Sequence, residues 1–149
     1  MHTLRKSTVI SASHRLGSLG EGHQCTNVHG HSYRIDIVIA ATTSFVSGNK
    51  HGWVLDFGEI SSTLRTLDHR DLNEALYSDS PTAESMSEWI WSELCGIMNA
   101  DLNSRCTRST EDKFWVGVTV HEGPGASVTY CPDGLPLGMD PYCGPWSPI

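Results

Sequence analysis

The sequence predicts an α+β domain in which two helices cover one face of an antiparallel sheet. Three observations lead to that class. Strand-like alternation occupies both ends of the ordered pattern, around Val9–His14 and His29–Thr43 and again around Lys113–Glu122 and Ala126–Tyr130. Between them lie two stretches of helical period, so strands flank paired helices. Third, the inward rows of three strands each end in a reactive side chain. The predicted order is β-β-α-α-β-β.

The first strand places Ile10, Ala12 and His14 on one face. Leu16 to Thr26 reads as a loop, loosened by Gly17, Gly20 and Gly22. The second strand presents His29, His31, Tyr33, Ile35, Ile37 and Ile39 along one face. Residues 47–52 read as an exposed turn, with His51 a bystander. Asp56 and Glu59 resemble a capping box for a helix whose apolar positions are Phe57, Ile60, Leu64 and Leu67. The polar segment Asp68–Asn73 reads as a surface loop. Pro81, at the first helical position, opens a second helix with Met86, Ile90, Leu94 and Ile97 inward. Asn99 to Asp112 is a polar connection. The third strand turns Phe114, Val116, Val118, Val120 and finally Glu122 inward, with His121 on the other side. After Tyr130 the pattern stops. Residues 1–131 are expected to form the domain, and 132–149, with five prolines and three glycines, a tail.

His29 and His31, two apart on an apolar strand face, have the spacing of metal ligands, and His14 ends a neighbouring row. Zinc suits such an imidazole set, with three protein ligands and an open position. The plainer reading, satisfied histidines beside an inert thiol, also stands for this spacing. Cys25 lies in the loop just before, within reach along the chain. Glu122, a carboxylate at the end of an apolar row, needs a cation or hydrogen-bond donors. Glu84 in a first helical turn is explained by the helix dipole alone. The convergence of His14, His29, His31 and Glu122 is what favours a site.

Length and composition narrow the classes. At 149 residues one domain is expected. No apolar run approaches the roughly 20 residues of a membrane span, and the N-terminus lacks a secretory core, so a cytoplasmic protein without membrane contact is expected. Five cysteines without paired spacing point to reduced thiols. A formal charge of −7 argues against nucleic-acid binding. An anionic small molecule would need local positive charge, from a metal or from Arg15, Arg34 or Lys113.

A set of segments, in order, then resembles one family: Ser11–Leu16, Cys25-x-x-x-His-Gly-His-Ser-Tyr33, Leu55–Glu59, Leu67-Asp-His-Arg-Asp-Leu-Asn73, Pro81-Thr-Ala-Glu84, Trp89-Ile-Trp91, and Val120-His-Glu122 with Tyr130. The chain resembles the 6-pyruvoyl-tetrahydropterin synthase family, and within it the bacterial 6-carboxy-tetrahydropterin synthases. The resemblance implies the tunnelling fold, closing as trimers into a barrel and pairing into a homohexamer, with sites between subunits. It implies Zn2+ on His14, His29 and His31. It implies Cys25 as catalytic thiol with Asp68 and His69 as proton-transfer partners, Glu122 as pterin anchor, and Thr82 and Glu84 lining the same pocket. The implied reaction converts 7,8-dihydroneopterin triphosphate to 6-carboxy-5,6,7,8-tetrahydropterin, acetaldehyde and triphosphate, feeding a 7-deazapurine route such as queuosine. Alternatives are the pyruvoyl product, a non-catalytic zinc-binding pterin module of this fold, and a zinc hydrolase, for which no H-E-x-x-H is present. The three residues between Cys25 and His29 are fewer than in the pyruvoyl-forming enzymes, which favours the carboxy product. Two features depart from the family: Gly123 stands where threonine is usual, and the tail is longer.

Overall fold

The computed structural model describes residues 1–42, 53–103, 113–132 and 134. The turn expected at 47–52 with His51, the connection through 104–112 and the tail beyond Gly134 lie outside the described residues. A four-stranded antiparallel sheet runs in the order β1-β2-β3-β4, with β1 at His2–His14, β2 at His29–Ala41, β3 at Phe114–Gly123 and β4 at Ala126–Tyr130. Helices α1 (Phe57–Arg65), α2 (Leu72–Ala75) and α3 (Ala83–Asn103) lie between the second and third strands in sequence. The expected class holds, with one short helix added.

The apolar alternation of β2 makes the core. Ile35, Ile37 and Ile39 are fully buried, and Val116, Val118 and Val120 sit opposite them on β3. Facing this layer, α3 contributes Met86, Ile90, Leu94 and Met98, spaced by four and all fully buried. Met98 takes the interior position expected of Ile97, which is only partly buried. α3 starts at Ala83, so Pro81 precedes it. Thr82 and Ser85 exchange caps instead: Thr82 N–H donates to Ser85 Oγ at 2.9 Å and Ser85 N–H to Thr82 Oγ1 at 3.4 Å. α1 is capped by Asp56, which accepts the Gly58 N–H at 2.8 Å. Phe57, expected inside, is exposed, with the Lys6 ammonium 5.6 Å above its ring.

β1 is longer than expected, starting at His2. Its first half carries few apolar residues, and its pairing with β2, from His2 opposite Ala41 onward, holds it in the sheet. The segment read as a surface loop is more ordered than that. Leu72, fully buried, opens α2, and Asp71 caps it by accepting the Asn73 N–H at 2.9 Å. Before α2, residues 69–71 run beside the free edge of β1. The His69 N–H donates to Ser11 O at 2.6 Å and the Ser13 N–H to Arg70 O at 3.0 Å.

The opposite face of the sheet holds an ionic cluster. Asp36, with no exposed surface, accepts from Ser7 Oγ on β1, from Arg34 at 2.7 Å and from His121 Nε2 on β3 at 2.9 Å. Arg34, one of the possible sources of positive charge for an anionic ligand, is engaged with this internal carboxylate. A buried carboxylate surrounded by donors is destabilising to disrupt, because the partners lose their acceptor in a low-dielectric setting. Asp36→Ala is expected to cost about 3–5 kcal/mol of folding stability, read from the midpoint of urea denaturation. A loss below about 0.5 kcal/mol, the level of an ordinary surface change, would show that the cluster contributes nothing to the fold.

Candidate metal centre and adjoining clefts

The antiparallel register sets His14 directly opposite His29 and Ala12 opposite His31. All three imidazoles therefore project from the helix side of the sheet, at the end where the apolar rows stop. One nitrogen from each of His14, His29 and His31 lies within 4.8 Å of the others. This is the set named from sequence, brought together as expected.

The ring protonation follows from the partners. His14 Nδ1 lies 2.7 Å from the carbonyl of Pro81, and His29 Nδ1 lies 2.8 Å from that of Asn27. A carbonyl only accepts, so both Nδ1 atoms carry the proton and donate. The Nε2 atoms of two neutral rings are then lone-pair acceptors, and they face each other at 3.1 Å. His31 Nε2 is buried and makes no hydrogen bond. Burial, and then its two histidine neighbours, lower the His31 pKa, while the Glu122 carboxylate works the other way. Two lone-pair nitrogens facing each other beside the unpartnered Nε2 of His31 fit a cation. Nitrogens held about 2.0–2.1 Å from a tetrahedral ion sit about 3.3–3.4 Å apart, close to the His14–His29 separation. The residues present fit a divalent metal with three imidazole ligands.

Glu122 Oε1 lies 3.6 Å from His14 Nε2 and 3.5 Å from His31 Nε2. Its backbone sits at a bulge, where the β3–β4 register shifts between His121 and Gly123. Tyr33, fully buried two residues beyond His31, brings its hydroxyl within 3.4 Å of His14 Nε2. Burial raises the phenol pKa most, and the Glu122 carboxylate beside it adds to the rise, so the hydroxyl stays a donor. Thr82, Glu84 and Glu122 join His14 along a cleft of about 420 Å³. The Glu84 carboxyl is held below its ordinary pKa, chiefly by the Thr82 hydroxyl. A side chain at Gly123 would meet open space, so the usual threonine is not excluded by crowding.

Cys25 is a half-buried free thiol in the 3-10 turn Gln24–Thr26, and it is not part of the imidazole cluster. Its N–H is taken by His23 Nδ1 at 3.2 Å, and its carbonyl accepts from Leu16 N–H at 2.8 Å. Asn27, which closes that turn, is also the residue whose carbonyl orients His29. The thiol and the ligand are therefore carried on one short, hydrogen-bonded unit.

Asp68 and His69 form the expected pair, with His69 Nδ1 3.0 Å from Asp68 Oδ1. The Ser11 N–H donates to the same oxygen at 2.9 Å and is the main reason the Asp68 pKa is lowered. His69 is 80 % exposed and has φ 57°, a left-handed backbone rare for a non-glycine residue. It opens on a separate cleft of about 530 Å³ with Ser11, Ser13, Ser32 and Arg70. Only His31 borders that cleft from the imidazole cluster, and Glu122 does not line it. Sequence reading missed the Pro81 and Asn27 carbonyls, which carry no side-chain signal. Tyr33 could have been found, since it shares the inward row of His29 and His31.

Comparison with known proteins agrees with this geometry. A family model described as 6-pyruvoyl tetrahydropterin synthase matches residues 3–133. A Synechocystis protein named 6-carboxy-5,6,7,8-tetrahydropterin synthase is 31% identical over 117 residues, covering 72% of this chain and 89% of its own. A Pyrococcus abyssi protein named as a putative enzyme of that kind is 27% identical over 110 residues, covering 55% of this chain and 66% of its own. Among solved structures, 6-pyruvoyl tetrahydropterin synthase from Caenorhabditis elegans superposes with a TM-score of 0.58 at 22% identity, covering 87% and 94% of the two chains. The Plasmodium falciparum enzyme gives 0.54 at 14% identity, covering 87% and 97%. The described sheet and helices are thus the tunnelling fold of those structures. With the family model matching residues 3–133 and the Synechocystis relative 31% identical over 72% of the chain, the chain belongs to the 6-pyruvoyl tetrahydropterin synthase family.

Proposed function

We propose that the chain is a 6-carboxy-5,6,7,8-tetrahydropterin synthase. This lyase converts 7,8-dihydroneopterin triphosphate and water to 6-carboxy-5,6,7,8-tetrahydropterin, acetaldehyde and triphosphate. The observation that carries the reading is the cluster of three imidazoles beside Glu122, with His14 lining the cleft that also holds Glu122, Thr82 and Glu84. The Synechocystis relative of that name supports the choice of product. The short unit joining Cys25 to His29 supports it too.

Zinc is the metal we assign to His14, His29 and His31, and it would supply Lewis acidity toward the hydroxyl oxygens of the substrate side chain. The protein residues then have separate tasks. Cys25 removes a carbon-bound proton from that side chain as thiolate. His69, whose Nδ1 proton is held by Asp68, offers Nε2 for proton transfer on the opposite face. Glu122 accepts the ring N–H groups of the pterin, which repays burial of its charge. Thr82 and Glu84 line the wall against which the ring lies. Because Asp68 and His69 open on a different cleft from Glu122, the complete site would form between subunits. A site shared between subunits calls for an oligomer, and this reading takes it as a homohexamer built as a dimer of trimers. No helix among the described residues is long and apolar enough to cross a membrane. The reading places the enzyme in the cytoplasm, in a 7-deazapurine (queuosine-type) route, acting on a small pterin rather than on nucleic acid. The catalytic unit in this reading is residues 1–131.

Three outcomes are expected. His29→Ala loses zinc and turnover together, measured by metal content of the purified protein. Retention of one zinc per chain removes His29 from the ligand set. Cys25→Ala keeps its zinc and its assembly but loses at least about 100-fold in kcat, the scale of a lost general base; near-normal turnover reassigns the thiol. Incubation of the wild-type protein with 7,8-dihydroneopterin triphosphate yields trapped acetaldehyde and a carboxylated pterin by mass spectrometry. Triphosphate without acetaldehyde, with the three-carbon side chain retained, favours the pyruvoyl product. No release of triphosphate at all favours a non-catalytic module.

A further inference from the structure

Among the side chains of the Asp68–Asn73 segment to which the proposed reaction assigns no task, Asn73 has unusual hydrogen bonds. The Asn73 amide makes four, all to main chain. Its Oδ1 accepts the Arg15 N–H at 2.8 Å. Its Nδ2 donates to the carbonyls of Arg15 at 3.0 Å, Ser78 at 3.0 Å and Asp79 at 3.2 Å. Two amide hydrogens serve three carbonyls, so one bond is shared. The Asn73 carbonyl also accepts the Ser78 N–H at 3.1 Å.

The place of those partners in the chain gives the cluster its meaning. Arg15 directly follows His14, and Asp79 stands two residues before Pro81, whose carbonyl holds His14 Nδ1. Asn73 thus fastens together the two backbone segments that meet in the His14–Pro81 hydrogen bond. Beyond it the same segments are joined again by Gly17 N–H to Asp79 O at 2.9 Å and Ser18 N–H to Ser80 Oγ at 2.8 Å. Pro81 then leads into Thr82 and Glu84 on the cleft wall.

We infer that Asn73 is a positioning residue for the metal centre: it holds the Pro81 carbonyl where it fixes the tautomer and ring direction of His14. The inference rests on the metal reading of the three histidines. The residue type is explained by it. Aspartate has the same shape but presents oxygen to three carbonyl oxygens, glutamine is a methylene too long, and alanine offers nothing.

The test uses the metal-free full chain and Co2+ alone, titrated against a chromophoric chelator, with the visible Co2+ spectrum as second readout. Asn73→Asp is expected to fold, to bind Co2+ about 10–100-fold more weakly, the usual cost of losing the partner that orients a ligand, and to show a shifted ligand-field band. Ser18→Ala, which removes only the outer Ser18–Ser80 hydroxyl contact, should keep wild-type affinity and spectrum. Should Asn73→Asp not fold, Asn73→Ser serves in its place, with the same loss of affinity expected. A folded variant with wild-type affinity and spectrum, whatever its melting temperature, overturns the positioning role and leaves the metal reading intact. Wild-type protein that takes up no Co2+ overturns both.

Discussion

The antiparallel pairing of His14 with His29 is the constraint on which the site depends. Thirteen residue pairs of β1 and β2 run from His2–Ala41 to His14–His29 without a shift. Because side chains alternate, a slip of one residue would turn His14 and Ile10 to the other face while His29, His31 and the isoleucines of β2 stayed inside. The apolar alternation that builds the core is therefore the same specification that gathers the imidazoles. Burial of Ile35, Ile37 and Ile39, each fully enclosed, holds the ladder in the register the ligands require. Here the energetics of folding and the geometry of the site are one problem.

The other face of the sheet reinforces that register by a different means. Asp36 on β2 draws donors from Ser7 on β1 and from His121 on β3, with Arg34 beside it. Ser7 pairs with Asp36 across β1–β2, and Arg34 with His121 across β2–β3. A polar cluster of this kind adds little net stability over an apolar one but is intolerant of mispairing, since a shifted strand leaves a charge buried alone. It lies one step below the level of Glu122. Beyond His121 the β2–β3 pairing ends and the bulge begins. His121 is the last anchored residue before the carboxylate that faces the cleft.

Much of this was legible from residue types and their spacing. The inward rows ending in His14, His29 with His31, and Glu122 follow from period-two alternation, and the structure reproduces them. The first half of β1 was not legible because Arg5, Lys6 and Ser7 carry no apolar signal; pairing with an apolar neighbour supplies what propensity does not. The ionic cluster was hidden because a strand read for one buried face assigns its alternate residues to solvent, yet Asp36 and Val38 are buried on the second face. α2 is a single turn whose only buried residue is Leu72, too short to show a period. The polar partners of the ligands were invisible for a simpler reason: Pro81 and Asn27 act through carbonyls that every residue possesses. The cleft of His69 lay beyond sequence reading altogether, since its separation from that of Glu122 is a matter of tertiary placement.

Those two carbonyls have a consequence for the electrostatics of the cleft. Many metal-bound histidines lean on a carboxylate, which lends negative charge to the ligand set. Here the acceptors behind His14 and His29 are uncharged peptide groups, so a divalent ion held there would keep more of its double charge, with Glu122 as a neighbouring counter-ion. On a chain of formal charge −7, that produces a small positive well inside a negative envelope. Low-dielectric walls concentrate such a field at the mouth of a cleft. An incoming polyanion would be repelled at long range and captured at short range, a filter that admits molecules able to put their charge next to the ion and turns away those that can touch only the surface.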